Sequence, residues 1–298
     1  MLLEPRYVKL STRTGIEVRR TLPNARKRMI GAWAFVDHFG PTTQTEGMVV
    51  AAHPHTGLQT ATWMIEGQVE HRDSIGSVKN ITPGQLNLMT AGRGIAHSEL
   101  SIADGQVLHS LQLWIALPDS VRKMAPEFDQ YDDLPRIAIG LIQGTVFAGA
   151  MKGHETSRAE TKLYSPLLGA ELRVPAGASA TIELDLGFEH GLLVAAGAVS
   201  IDGQPLPLHG MEYLELGTPR VSIRNNGHTE AILMLLGGEP FSEPIVMWWN
   251  FIERSHDEIV QIRQKWNNRD SGIPEFVDHI GGWTPAPELP NVTLKARN

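Results

Sequence analysis

Two short pairs of side chains, His53-Pro54-His55 and His97-Ser98-Glu99, carry the clearest chemistry in this 298-residue chain. Alternate residues of a strand point to one face, so each pair would present both side chains on the same side. On neighbouring strands the pairs would converge on one divalent ion through three neutral imidazole nitrogens and one carboxylate, leaving positions open for water or substrate. Neutral imidazole is the ligating form near pH 7, so no unusual titration is required. A lone His-x-His could equally be a hydrogen-bonded pair at a strand edge. A second pair of the same spacing, following the glycine-dense turn Ala91-Gly92-Arg93-Gly94, makes the metal reading the stronger one.

Composition narrows the choice. The chain has no cysteine, which removes disulfides, thiolate nucleophiles and sulfur ligands, so any metal must sit on His, Asp or Glu. A net charge of -7 with no long basic run argues against a nucleic-acid backbone binder. Met1-Leu2-Leu3-Glu4-Pro5-Arg6 lacks the apolar core of a signal peptide, and no run approaches the roughly 18 apolar residues of a membrane span. The expected location is cytoplasmic.

The elements that must position these residues are strands. Glycine and proline punctuate the whole length, and the segments between them are short. Strands are expected over 60–65, 85–89, 108–117, 137–142, 180–184, 191–194, 221–224 and 231–236. One helix is expected, after the capping box Ser255-His256-Asp257-Glu258, with Ile259, Ile262 and Trp266 on one face. The residues after about Gly281 read as an extended tail. Internal similarity, aligning Gly67 with Gly197 and Gly84 with Gly210, points to two β-barrels built alike. Counting from those glycines places Glu183, Asp185 and Ile223 where the first half has its ligands, so the second barrel would hold no metal.

Gly47, six residues before His53, fits the first cupin motif, but Gln59 stands where many cupins place an acidic ligand. That departure fits one branch. The segments Leu22-Pro23-Asn24-Ala25-Arg26, Val36-Asp37-His38-Phe39-Gly40-Pro41, His53-Pro54-His55-Thr56-Gly57, 89–99 and 111–118 resemble the pirins, in which the acidic ligand follows the last His. The resemblance is dense from about residue 20 to 120 and thinner to about 265. It implies an all-β fold of two jelly-roll-like cupin barrels in tandem with a short C-terminal helix, divided as a metal-binding domain over 1–130 and a metal-free domain with its tail over 131–298. It also implies iron(II) as the metal on His53, His55, His97 and Glu99, with manganese, nickel, copper or zinc as alternatives. The activity implied is a metal-dependent dioxygenase of the quercetin 2,3-dioxygenase type. A flavonol-like substrate and dioxygen would be its partners, and Glu99 its general base. No separate organic cofactor, nucleic acid or membrane is implied, and the chain is expected to be a monomer. The alternative is a non-catalytic, iron-dependent regulator acting through protein contacts, for which the cluster Arg19, Arg20, Arg26, Lys27 and Arg28 would be the surface.

Other residues have plainer roles beside functional ones. Arg93 could steer an anion or anchor its turn, and His38 with Phe39 could line the pocket mouth, though buried packing is the better reading. His109 is the better of His109, Gln112 and Trp114 for facing the cavity. Trp248, Trp249 and Phe251 would plug a core between the barrels. His71, His154, His190, His209, His228, His256 and His279 are expected on the surface or in turns.

Overall fold

The computed structural model describes residues 1–10, 17–43, 47–101, 105–274 and 282–297. It is all-β apart from one helix, and it divides into two compact units. The histidine unit comprises Val8–Val18, Phe39–Gln130 and Ser242–Asn298. The second unit comprises Met1–Tyr7, Arg19–His38 and Tyr131–Phe241. Ser242–Asn298 thus falls in the histidine unit, and most of the first 38 residues in the other.

In the histidine unit a four-stranded sheet runs in the order Val49–His55, Ile95–Ser101, Val69–Asp73, Val78–Ile81. A larger sheet places Glu127–Tyr131, Leu86–Thr90, Leu58–Glu66 and Val107–Ala116 side by side. Within the smaller sheet, and where Leu58–Glu66 meets Leu86–Thr90 and Val107–Ala116, neighbours run antiparallel, for which short turns suffice. Val18, Phe39, Met48, Met64, Val69, Ile81 and Leu108 pack as one apolar core.

The second unit has the same plan. Its four-stranded sheet runs Ser179–Glu183, Arg220–Asn225, Val199–Ile201, Gln204–Leu206, and its larger sheet sets Glu189–Ala196 between Met211–Leu214 and the central Ala231–Gly238. The indole of Trp33 donates to the carbonyls of Leu168 and Gly237, both at 3.1 Å, and its ring meets Phe147 edge-on. The strand expected over 137–142 is instead a hairpin, Arg136–Ile139 and Ile142–Ala148, turning at Gly140 with φ +61°. The left-handed backbone there suits glycine and ends the strand.

The helix forms where expected, His256–Asn267, with the Ser255 hydroxyl accepting from the Glu258 amide. The Glu258 carboxylate reaches past the cap to the Arg254 amide at 2.9 Å, satisfying a donor one residue upstream of the usual capping box. Its apolar face, Ile259 and Trp266, joins Ala96, Val246, Phe251 and Ala286, with Trp248, Trp249 and Trp283 against them. These aromatic residues therefore serve the core of the histidine unit itself. No helix among the described residues is long and apolar enough to cross a membrane.

Candidate metal centre

The two paired motifs lie on adjacent strands. His97 is directly opposite His53, and Ile95 is opposite His55, in the pairing of Ile95–Ser101 with Val49–His55. Register is then lost between His97 and Glu99, so that Glu99 faces Val50. The extra residue falls at Ala51 and Ala52, and both find other work. The Ala51 carbonyl accepts from Nδ1 of His53 at 2.8 Å, and Ala52 bridges to Trp283 through the Gly282 carbonyl and the Thr284 amide. Since a carbonyl only accepts, His53 carries its proton on Nδ1 and leaves Nε2 basic.

On its other side Ile95–Ser101 pairs without interruption with Val69–Asp73, setting His97 opposite Asp73 and Glu99 opposite His71. The outcome is two overlapping ligand groups. His53, His55 and His97 form one, and His71, His97 and Glu99 the other; within each group the candidate ligand atoms all lie within 4.8 Å of one another. The four residues expected to share an ion are thus gathered around His97, with Glu99 brought in from the His71 side. His71, expected on the surface, is buried and is the residue that the sequence reading missed. A signal for it existed: His71-Arg72-Asp73 repeats the i, i+2 spacing of the other two pairs.

The electrostatics suit a cation. Burial pushes His53 down to about 4 and presses His55 and His97 well below the ordinary range, the neighbouring rings adding repulsion in both. The Nε2 atoms of His55 and His97 stand 3.1 Å apart. Buried rings that cannot charge themselves, with basic nitrogens turned together, are a donor set suited to a borderline divalent ion. Burial raises the Glu99 carboxyl, against the pull of His71 and the Thr62 hydroxyl.

Surrounding contacts fix this arrangement. Thr56, next after His55, donates from its hydroxyl to the buried Glu253 carboxylate at 2.8 Å and accepts the Ile252 amide at its carbonyl. Arg122 and Lys123 neutralise Glu253 at 2.7 and 2.6 Å. Gly57, at φ +70°, lies so close to the Ile252 carbonyl that an added Cβ would sit 1.9 Å from it. Gly94 likewise has no room beside Ile273. The Arg93 side chain is exposed, while its amide holds the turn to the Met124 carbonyl at 2.9 Å. Trp114 sets its ring against that of His55, with centroids 5.1 Å apart. Gln112, on the same strand, accepts from Thr62 at 2.9 Å.

Two family models match the chain, Pirin over residues 15–115 and the Pirin C-terminal cupin domain over residues 169–272. The chain belongs to the pirin family. This pirin is 43% identical over 278 residues to a Pseudomonas aeruginosa protein whose name assigns quercetin 2,3-dioxygenase activity provisionally; the match covers 93% of this chain and 87% of that one. A pirin-like protein of Caulobacter vibrioides is 34% identical, over 91% and 94% of the two chains. The crystal structure of a quercetin 2,3-dioxygenase from Acinetobacter baumannii superposes with a TM-score of 0.93 at 38% identity, covering 99% of this pirin and 97% of that chain. The two units are therefore the two cupin barrels of a pirin.

The remaining expectations resolve individually. His38 is buried in the second unit, its ring 5.1 Å from that of His209. His190 is buried, contrary to expectation, and His209 adopts φ +67° with Nε2 3.2 Å from Arg19. His279 lies outside the described residues. The basic cluster is largely committed within its own unit. Arg20 forms a two-pronged bond to Asp37 at 2.7 Å, Lys27 pairs with Glu189, and Arg26 donates to the Leu2 carbonyl.

Proposed function

We propose that this pirin is a metal-dependent dioxygenase of the quercetin 2,3-dioxygenase type, holding one divalent ion, iron(II), on His53, His55, His97 and Glu99. The observation that carries the reading is the pair of overlapping ligand groups meeting at His97. The named activity of the Pseudomonas and Acinetobacter relatives supplies the substrate class, a flavonol. A divalent ion bound there would supply Lewis acidity and a template for two adjacent oxygens of a chelating substrate.

The protein's own contribution is positional and protonic. Glu99, whose carboxyl is raised by burial, would take the flavonol hydroxyl proton onto a carboxylate oxygen. Proton and carboxylate are better matched there than at an ordinary glutamate, because a raised pKa strengthens the base. Trp114 offers an aromatic edge beside His55, suited to a flat polyphenol. In the overall reaction both atoms of dioxygen enter the ring-opened ester product, and one ring carbon leaves as carbon monoxide. The dioxygenase reading is preferred to the regulator reading because Arg20 and Lys27 of the basic cluster are engaged by Asp37 and Glu189, although Arg26 and Arg28 are exposed.

The test is elemental analysis of the purified protein together with quercetin consumption and carbon monoxide release under air. One metal per chain with turnover is the expected result. Metal without turnover overturns the activity and keeps the site; failure to take up iron, manganese, nickel, copper or zinc overturns both.

A further inference from the structure

His71 and Asp73 are absorbed by none of the roles above, yet both are buried, and across the strand pairing Asp73 lies opposite His97 and His71 opposite Glu99. Nε2 of His71 lies 3.0 Å from Oδ2 of Asp73. Nδ1 of the same ring lies 3.3 Å from Nδ1 of His97. The other oxygen of Asp73, Oδ1, accepts the amides of Ile75 at 3.0 Å and Ser77 at 2.9 Å. Phe128 stacks on the His71 ring, with centroids 4.5 Å apart and planes 21° apart, which fixes the ring's plane.

We propose that Asp73 and His71 form a positioning relay that sets the tautomer and aim of His97. The deduction follows from counting donors. An ionised carboxylate only accepts, so the single proton of a neutral His71 ring sits on Nε2, facing Asp73. Nδ1 of His71 is then an acceptor, and Nδ1 of His97 must carry the proton between them. That leaves Nε2 of His97 basic, and this is the atom 3.1 Å from Nε2 of His55. Hydrogen bonds from beyond the ligands commonly orient a metal-binding imidazole in this way and are worth about 10- to 100-fold in metal affinity. His53 reaches the same state through the Ala51 carbonyl, so two of the three imidazoles have their basic nitrogen chosen by a partner behind them.

Asp73→Asn is a sharp test because Oδ1 is already committed. The amide oxygen must keep serving the Ile75 and Ser77 amides, which turns the amide NH2 toward His71. His71 would then accept at Nε2 and carry its proton on Nδ1, and His97 would be driven to the opposite tautomer with its proton on Nε2.

The inference rests on the metal reading above, and the experiment separates the two. Long-range proton–nitrogen correlations on metal-free, 15N-histidine-labelled protein at pH 7.5 report each ring's tautomer without any metal. Expected are an Nε2–H His71 and an Nδ1–H His97 in the unmodified protein, both reversed in Asp73→Asn. Nickel(II) titration should then show affinity about 10- to 100-fold weaker in Asp73→Asn. His71→Leu should weaken it similarly, and His71→Gln, whose amide oxygen can accept from His97, should recover most of the loss. Unchanged tautomers and affinity in Asp73→Asn overturn the relay. So does X-ray absorption showing one nitrogen fewer around nickel in both His71→Leu and His71→Gln, which would make His71 a ligand. Expected tautomers in a protein that binds no nickel support the relay while removing the metal reading.

Discussion

The two barrels of this pirin share a sheet plan and differ in what their small sheets turn inward. In the histidine unit the pairing of Val49–His55 with Ile95–Ser101 sets His97 against His53. In the other unit the corresponding pair, Ser179–Glu183 with Arg220–Asn225, sets Ile182 against Val221 and Ala180 against Ile223. Ile182, Val221 and Ile223 are buried there, while Glu183 is exposed. The same frame thus closes over aliphatic side chains in one barrel and over imidazoles in the other. Aliphatic burial stabilises by about 25 cal/mol per Å² removed from water, whereas a buried polar ring is a cost unless each nitrogen finds a partner. Function in this fold lies in a few strand positions, and the barrel itself is indifferent to them.

The largest expected effect comes from removing the shared ligand. His97→Ala takes a member from both ligand groups at once. Stoichiometric nickel or iron uptake should be lost, measured by elemental analysis after dialysis. The metal-free protein should melt within about 4 °C of the unmodified one, since a change near 1 kcal/mol moves a chain of this size by only a few degrees. A chain that fails to fold would show that the histidine unit depends on the cluster for its core.

A matched pair of glycine substitutions tests whether the barrels are separable. Gly67 and Gly197 occupy equivalent turns, at φ +84° and +88°. A Cβ would fall 2.4 Å from the Val107 carbonyl oxygen in one and 2.6 Å from the Ala231 Cβ in the other. Strained backbone plus a clash should cost about 3 kcal/mol in each case. Denaturant unfolding of Gly67→Ala and Gly197→Ala should show similar losses, with metal affinity reduced in Gly67→Ala alone. Equal loss of metal affinity in both would break the comparison.

Much of this contrast was legible in the sequence, and the exceptions have physical reasons. The i, i+2 pairs and the helix cap are local patterns, so they could be read one segment at a time. The role of His71 was only half legible: its i, i+2 spacing with Asp73 is local, but its place beside the ligands depends on the non-local pairing of Glu99 with His71. The internal repeat was misplaced by one residue for a related reason. Matching glycine with glycine put Gly84 on Gly210, but the turn closed by the Gly210 amide on the Pro207 carbonyl corresponds to that closed by Gln85 on Thr82. The left-handed residue equivalent to Gly84 is therefore His209, at φ +67°. A non-glycine residue there costs about 1 kcal/mol, small enough for the surrounding turn to impose. The Ser242–Asn298 segment likewise shows no local sign of which unit it joins. That is settled by contacts such as the Ile252 amide on the Thr56 carbonyl.

Acid should separate the barrels in a graded way. His190 is buried in the second barrel, and burial lowers it to about 4 against the pull of the Asp185 and Glu189 carboxylates. Because its folded pKa lies below the unfolded value, the unfolded chain binds the proton first as pH falls. The stability it contributes is intact above about pH 6.5, erodes below that value, and is gone below about 4. For a shift of this size the loss is about 2 kcal/mol at pH 5. His190→Leu should therefore flatten the pH dependence of unfolding between 6.5 and 4 by about that amount in both metal-free and nickel-loaded protein. The histidine unit should behave differently, since His53, His55 and His97 are lowered too but would be held from protonation while an ion is bound. Nickel should thus shift the acid midpoint of the histidine unit downward and leave the contribution of His190 unchanged. A nickel-dependent contribution from His190 would mean that the two barrels do not titrate independently.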